Sequence, residues 1–400
     1  MGANLEQGIR FGYLWIDEVS KAPRLGAGMT LGNSEVVLSF VNQTRWCKEN
    51  QFFFSGEFLA AAARDIAHPP IYLEMIASWR GNPHTDRLPL RLMSAAHTLS
   101  LSGTMPDLTA SFPSDRSSGD ARVAWAIVCD AMATKPEFFR NRLAAIPQHN
   151  EIGRTAALLG GFLEIARQTS LPFRLLELGA SAGLHQIWDK YSYCLNAEHW
   201  GSNDCPVAVS VIWKGSLPPL DQHPEVESRA ACDLSPLSLS NSDHLRQLQS
   251  YVWPEQRKRI DLLHHACELA HDLGVLVDKE RAGTWLPRKL QGGMPRQTTV
   301  VFNSFFWFYL TDSEKLEIRH AIIDAGEAAD SASPLAWLRY EPAGLPYASP
   351  PELKLTLWPR GQTVILGNGH EQGRYMNWGN AQHSAGNIRS LVSSRAVANT

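Results

Sequence analysis

The chain has 400 residues, 44% hydrophobic and 19% charged, a composition that fits an ordered globular protein and excludes a disordered one. Lysine plus arginine, 37, nearly balances aspartate plus glutamate, 40, for a net charge of −3, so no basic field marks nucleic acid as a partner. Six cysteines without a CxxC pair or metal-ligand spacing, no signal-peptide pattern and no apolar run long enough to span a bilayer predict a cytoplasmic protein with no metal site and no membrane association.

Residues 1–149 read as a helical N-terminal region. Helical composition covers 51–67, 71–79, 88–101, 121–133 and 137–145, with breaks at His68-Pro69-Pro70, Gly81-Asn82-Pro83 and 111–119. A clearer helix follows. Asn150 is a good N-cap, and Ile152, Ala156, Leu159, Gly160, Leu163 and Ala166 recur at helical spacing. Pro172 ends it, and strand-like runs then alternate with helical patterns, the sign of a parallel sheet covered by helices.

The expected strands are 174–178, 228–232, 274–277, 298–302 and 335–340, with helices at 182–191, 255–271 and 313–325 between them. The basic run Arg257-Lys258-Arg259 lies in the second of these helices and reads as a solvated face. Two last runs, 353–358 and 363–366, flank Pro359-Arg360-Gly361-Gln362 and form a hairpin. This α/β domain covers 150–385, with an insertion at about 193–220 that holds its own strand-like run at 207–213; residues 386–400 are a tail.

The sharpest local signal is Glu177-Leu178-Gly179-Ala180-Ser181-Ala182-Gly183. A strand ends in an acid, glycines permit a tight turn, and a helix start then offers free amides to a negatively charged group. Spelled as GxSxG, the same string also fits a hydrolase nucleophile elbow with Ser181 as nucleophile and His370 as a possible base. Against that, the loop opens the strand series, and Glu177 has no part in an elbow.

Asp233 ends the second strand, where a carboxylate suits the ribose hydroxyls of a nucleoside ligand. It lies far beyond the roughly 20 residues of a dinucleotide fingerprint. The insertion accounts for the excess. Asp278 follows the third strand and suits an adenine amino group; Asn303 closes the fourth, beside the reacting centre. Glu151 and Arg154 gather polar groups with His149 and Asn150 just before the first strand, while His370 and Trp378 follow the last in a glycine-rich loop. Each of these also has a plain structural reading as a cap, a turn acid or a packed aromatic.

At these motifs the chain resembles the family catalogued as domain of unknown function 2332. The matching stretches are Ala95-Ala96-His97 with Pro113-Ser114, 148–154, 177–184, Trp188-Asp189-Lys190-Tyr191, 229–236 and Val252-Trp253-Pro254, within a span from about 45 to 380. The sequence reads His149, Ile152 and His185 where Thr, Val and Asn are common. The resemblance implies a methyltransferase-like domain behind a helical region and supplies no activity. Five crossover strands followed by an antiparallel hairpin are likewise the plan of the Rossmann-like class I methyltransferases.

The leading expectation is therefore an S-adenosylmethionine-dependent methyltransferase acting on a small-molecule substrate. Glu177, Gly179, Ala180, Ser181 and Gly183 would hold the methionine end, Asp233 the ribose and Asp278 the adenine. Asn303, Glu151, Arg154 and His370 are the candidates for chemistry. A non-catalytic binder of the same fold and a serine hydrolase are the alternatives, since a scaffold by itself does not fix a function.

Overall fold

The computed structural model describes residues 31–292, 295–343 and 349–379. The expected tail at 386–400 lies outside them. The described residues divide into two compact units. One takes the chain up to His149 together with Ser242–Asp261; the other takes Asn150–Asn241 and the chain from Leu262 onward. The expected continuous stretch from 150 is thus interrupted. The reason is apolar: Tyr251 and Trp253 are buried in the core of the helical unit.

The helical unit contains α1 (Leu31–Glu49), α2 (Phe53–Ala67), α3 (Glu74–Ala77), α4 (Leu88–Leu101), α5 (Pro106–Ser111), α6 (Ala121–Thr134) and α7 (Pro136–Ala144). Aromatic rings meet one another in its core: Phe58 meets Trp125 edge-on, and Trp46, Phe52 and Trp253 form a cluster. Such pairs add to plain area burial. Glu255 ties the returning segment down by accepting both the backbone amide and the hydroxyl of Ser55. In the basic run Lys258 is exposed; Arg257 reaches Asp115, and Arg259 donates to His149 Nε2 at 3.2 Å.

The second unit opens with α8 (Thr155–Thr169) and is built on one sheet of β1 (Phe173–Leu178), β2 (Ser192–Leu195), β3 (Glu198–Trp200), β4 (Ala208–Lys214), β5 (Val226–Asp233), β6 (Asp278–Lys279), β7 (Thr298–Ser304), β8 (Leu335–Pro342), β9 (Pro351–Trp358), β10 (Gln362–Gly369) and β11 (Tyr375–Trp378). Their order is β3-β2-β4-β11-β10-β9-β8-β7-β1-β5-β6. From β6 to β8 all neighbours are parallel, and β8 through β11 run antiparallel in succession. The mixed α/β class, the helical N-terminal region and the antiparallel end of the sheet are as expected. The insertion does more than expected, because its strands β2, β3 and β4 extend the sheet, β4 lying parallel to β11.

Helices cover the two faces. On one, Phe162 of α8 stacks on Trp188 at 4.3 Å and meets Phe302 edge-on. Gly160 lies against Trp378 and Trp213, and Gly161 against Leu338, so the helix rests directly on the sheet where any Cβ would collide. The other face packs Leu176, Leu178, Val301 and Trp337 under α11 (Ala282–Leu290) and α12 (Asp312–Glu327), which follow α9 (Ser242–Ser250) and α10 (Arg257–Asp272) in the chain. Among the described residues no helix is long and apolar enough to cross a membrane.

Three expected elements change. None of 274–277 is strand, and the third strand is the two-residue β6 that follows, because Gly274, at φ +67, and Val275 bond back to His271 and Ala270 and terminate α10. The helix expected at 182–191 is a 3-10 turn over Leu184–Lys190. Asn150 does not cap α8, which begins only at Thr155; its side chain accepts the amide of Leu184 instead.

Candidate functional site

Strand order reverses between β1 and β7, and in open parallel sheets the crevice for ligands lies outside the carboxyl ends at such a reversal. The loop after β1 is built to a strained shape. Ser181 has φ +54, a left-handed conformation that a side chain disfavours. Two bonds hold it there: its amide donates to Asp233 Oδ2 at 2.9 Å, and its carbonyl accepts the Leu237 amide at 3.1 Å. Asp233 Oδ1 accepts the Ser235 amide at 2.8 Å. Oδ2 thus ties the loop after β1 to the end of β5, and Oδ1 fixes the loop after β5.

The glycines of this loop serve packing. Gly179 has φ +69, and a Cβ there would lie 2.1 Å from the ring of Phe306. Gly183 has φ +76 and abuts Gln186, Val275 and Val277. Ala180 is fully buried. By themselves the glycines point to no ligand.

Glu177 is different. It is 2% exposed, and its Oε1 lies 3.4 Å from His185 Nδ1. His185 Nε2 donates to the backbone carbonyl of Glu151 at 2.9 Å. The second oxygen, Oε2, is buried and has no partner, and so is the hydroxyl of Ser181. Burial raises the pKa of Glu177, the contact with His185 favours its charged form, and the charge of Asp233 works against it. Buried polar atoms almost always find partners, so two orphans beside one loop call for an explanation.

A second group forms at the ends of β7 and β8. Asn303 is fully buried, with Nδ2 donating to Glu341 Oε1 at 2.6 Å and Oδ1 accepting the Trp337 indole at 3.1 Å. The same Glu341 oxygen accepts the amides of Phe306 at 2.9 Å and Trp307 at 3.3 Å, while Oε2 is buried without a partner. Burial pushes the Glu341 carboxyl up to about 7, against the three hydrogen bonds and the Arg154 charge. Phe305, at φ +55, is a second strained residue directly after a strand. The guanidinium of Arg154 stacks 3.9 Å from its ring centroid and donates to the Glu371 carbonyl at 2.7 Å.

The remaining expected residues take local roles. Glu151 accepts the Gly153 amide at 3.3 Å. His370 Nδ1 accepts the Gln372 amide at 3.0 Å, and its carbonyl accepts the Tyr340 hydroxyl. Asp278 stands 49% exposed, bound to the Trp285 indole at 2.7 Å and near Lys289 at 3.3 Å, partners that hold its carboxyl below the usual range. Asn303 lies at the expected strand end, but its amide is spent on Glu341 and Trp337, so it positions Glu341. Sequence reading missed Glu341 and the contact of His185 with Glu177. For Glu341 a signal was present: the fifth strand, like the first and second, closes on an acid.

The family model described as "Uncharacterized protein conserved in bacteria (DUF2332)" matches residues 38–378, and the chain belongs to that family. No curated protein matches it.

Proposed function

We propose that the sheet-bearing unit is a Rossmann-type, class I methyltransferase-like domain that binds S-adenosylmethionine beside the loop 179–183 and serves a small-molecule acceptor. The observation that carries this reading is the pair of buried, unpartnered polar atoms, Glu177 Oε2 and Ser181 Oγ, at the reversal of strand order. They suit the polar amino-acid end of such a ligand. The nucleoside end is less free: Asp233 retains only the lone pairs its two amide bonds leave, and Asp278 is held by Trp285. When bound, S-adenosylmethionine supplies an electrophilic methyl group. The protein's own share is positioning, where one misplaced contact costs on the order of 10²-fold in rate. Asn303 fixes Glu341, and Arg154, whose charge acts on Glu341, stacks on Phe305.

The serine hydrolase reading has less support. Ser181 Oγ has no hydrogen-bond partner, His185 uses one ring nitrogen on Glu177 and the other on Glu151, and His370 Nδ1 takes a backbone amide.

Titration calorimetry of the purified chain with S-adenosylmethionine and S-adenosylhomocysteine tests the proposal. Micromolar binding is expected. A site of ~1 mM still represents about −4.1 kcal/mol, so absence of both heat and thermal shift at millimolar ligand refutes the proposal.

A further inference from the structure

Glu177 and His185 form a buried pair with one unpartnered oxygen. The ring nitrogen facing Glu151 donates to a carbonyl and so carries a hydrogen. One further proton between Oε1 and Nδ1, which lie 3.4 Å apart, would keep their lone pairs from facing each other. On either atom it leaves the pair neutral overall, the arrangement that burial penalises least. Oε2 is the only polar atom of the pair that remains unused.

We propose that the group of the ligand that seats against Glu177 Oε2 is a cation, and that its arrival expels the proton shared by Glu177 and His185. This rests on the adenosyl-ligand reading above and adds the charge of the group and the fate of the proton. A cation beside a pair whose proton stayed on Nδ1 would face a like charge. After the proton leaves for solvent, a carboxylate faces the cation, and a neutral His185 still donates through Nε2 to Glu151. No covalent bond other than N–H or O–H changes.

The surrounding groups favour this exchange. From β5, Asp233 repels a charged Glu177 and keeps the proton in place while the site is empty, and Cys232 is a neutral thiol whose pKa burial raises. Tyr191 donates its hydroxyl to the Leu184 carbonyl, and burial holds it neutral. Burial likewise raises the pKa of Glu177 in the ligand-free protein, and a cation lowers it. Binding therefore strengthens as pH rises through the ligand-free value and levels off above it.

The experiment is calorimetry of the full chain with S-adenosylmethionine, S-adenosylhomocysteine and methylthioadenosine. Each is titrated at one pH in phosphate and in Tris, buffers with different heats of ionisation. The first two ligands carry an amino-acid ammonium; the third lacks that end. Buffer-dependent heats showing proton release are expected for the first two and buffer-independent heats for the third. Glu177→Gln should bind S-adenosylmethionine ~10-fold more weakly and exchange no proton, a loss of about 1.4 kcal/mol. Equal heats in both buffers for S-adenosylmethionine, or proton release with methylthioadenosine, overturn the inference and leave the adenosyl reading standing. No binding by any of the three overturns both. Where Glu177→Gln does not fold, the contrast between ligands on the unaltered chain decides.

Discussion

Asp233 and Asp278, on the outer strands β5 and β6, and Glu177 and Glu341, on the inner strands β1 and β8, stand alike near strand ends and are used differently. The outer acids are satisfied. Asp233 gives one oxygen to each of two loop amides, and Asp278 is bound by an indole and a lysine at a partly exposed position. The inner acids are each anchored through one oxygen and keep the other buried and unpartnered. Burial raises the pKa of both inner acids, whereas Asp278 is lowered by its partners. An acid that only braces a fold is expected to look like the outer pair. The inner pair carries a cost that packing does not explain, and perturbed carboxyls of that kind gather where chemistry or binding occurs.

Glu341 gives the largest expected effect. Glu341→Ala strands the Asn303 amide and two backbone amides, and at about 1–3 kcal/mol for a buried unsatisfied donor a loss of ~4 kcal/mol in urea unfolding is expected. Glu341→Gln keeps an acceptor at Oε1 and removes the titration. The carboxyl sits at about 7 in the folded protein against an ordinary 4.5, so folding favours its protonated form. Its contribution is most favourable below pH 4.5, falls between 4.5 and 7, and is flat above, a drop of about 3 kcal/mol that the Gln variant lacks. Parallel stability–pH curves for the two proteins would place Glu341 with the outer acids.

Asp233→Ala should cost ~2 kcal/mol, since two loop amides lose their acceptor and the left-handed Ser181 loses a brace. A loss no greater than that at Asp278 would mean that these bonds hold nothing. Asp278→Asn should change stability by less than ~1 kcal/mol, as for other exposed ion pairs. Because the Asp278 carboxyl is lowered, that small contribution is present above its ordinary range and lost as pH falls through the folded value.

Much of the frame was legible in the sequence because its signals are local. The apolar runs at 174–178 and 298–302 became the buried strands β1 and β7, and 88–101 became α4. The short strands β2, β3 and β11 and the polar helix α9 were missed, since a few residues of mixed polarity carry no periodicity. At the site, Glu177 and Asp233 stood out because each closes an apolar strand. Their partners did not. That Asp233 would spend both oxygens on loop amides, that Trp337 would claim Asn303, and that Phe306 would lie over Gly179 all depend on residues many positions apart.

The pairing of β4 with β11 has a consequence for the order in which the molecule is made. β4 ends at Lys214, and its neighbour begins only at Tyr375, close to the end of the described chain. During synthesis β4 must therefore wait through the emergence of every parallel strand after β1 before one of its edges is covered. Closing so long a loop adds little to the equilibrium cost, which grows only with the logarithm of length, but such distant pairings slow folding. In that interval the nascent chain presents an alternating strand with an open edge, including the outward-facing Ile212, to any neighbouring polypeptide. Among the described strands, the one made last is thus the one that joins β4 to the rest of the sheet.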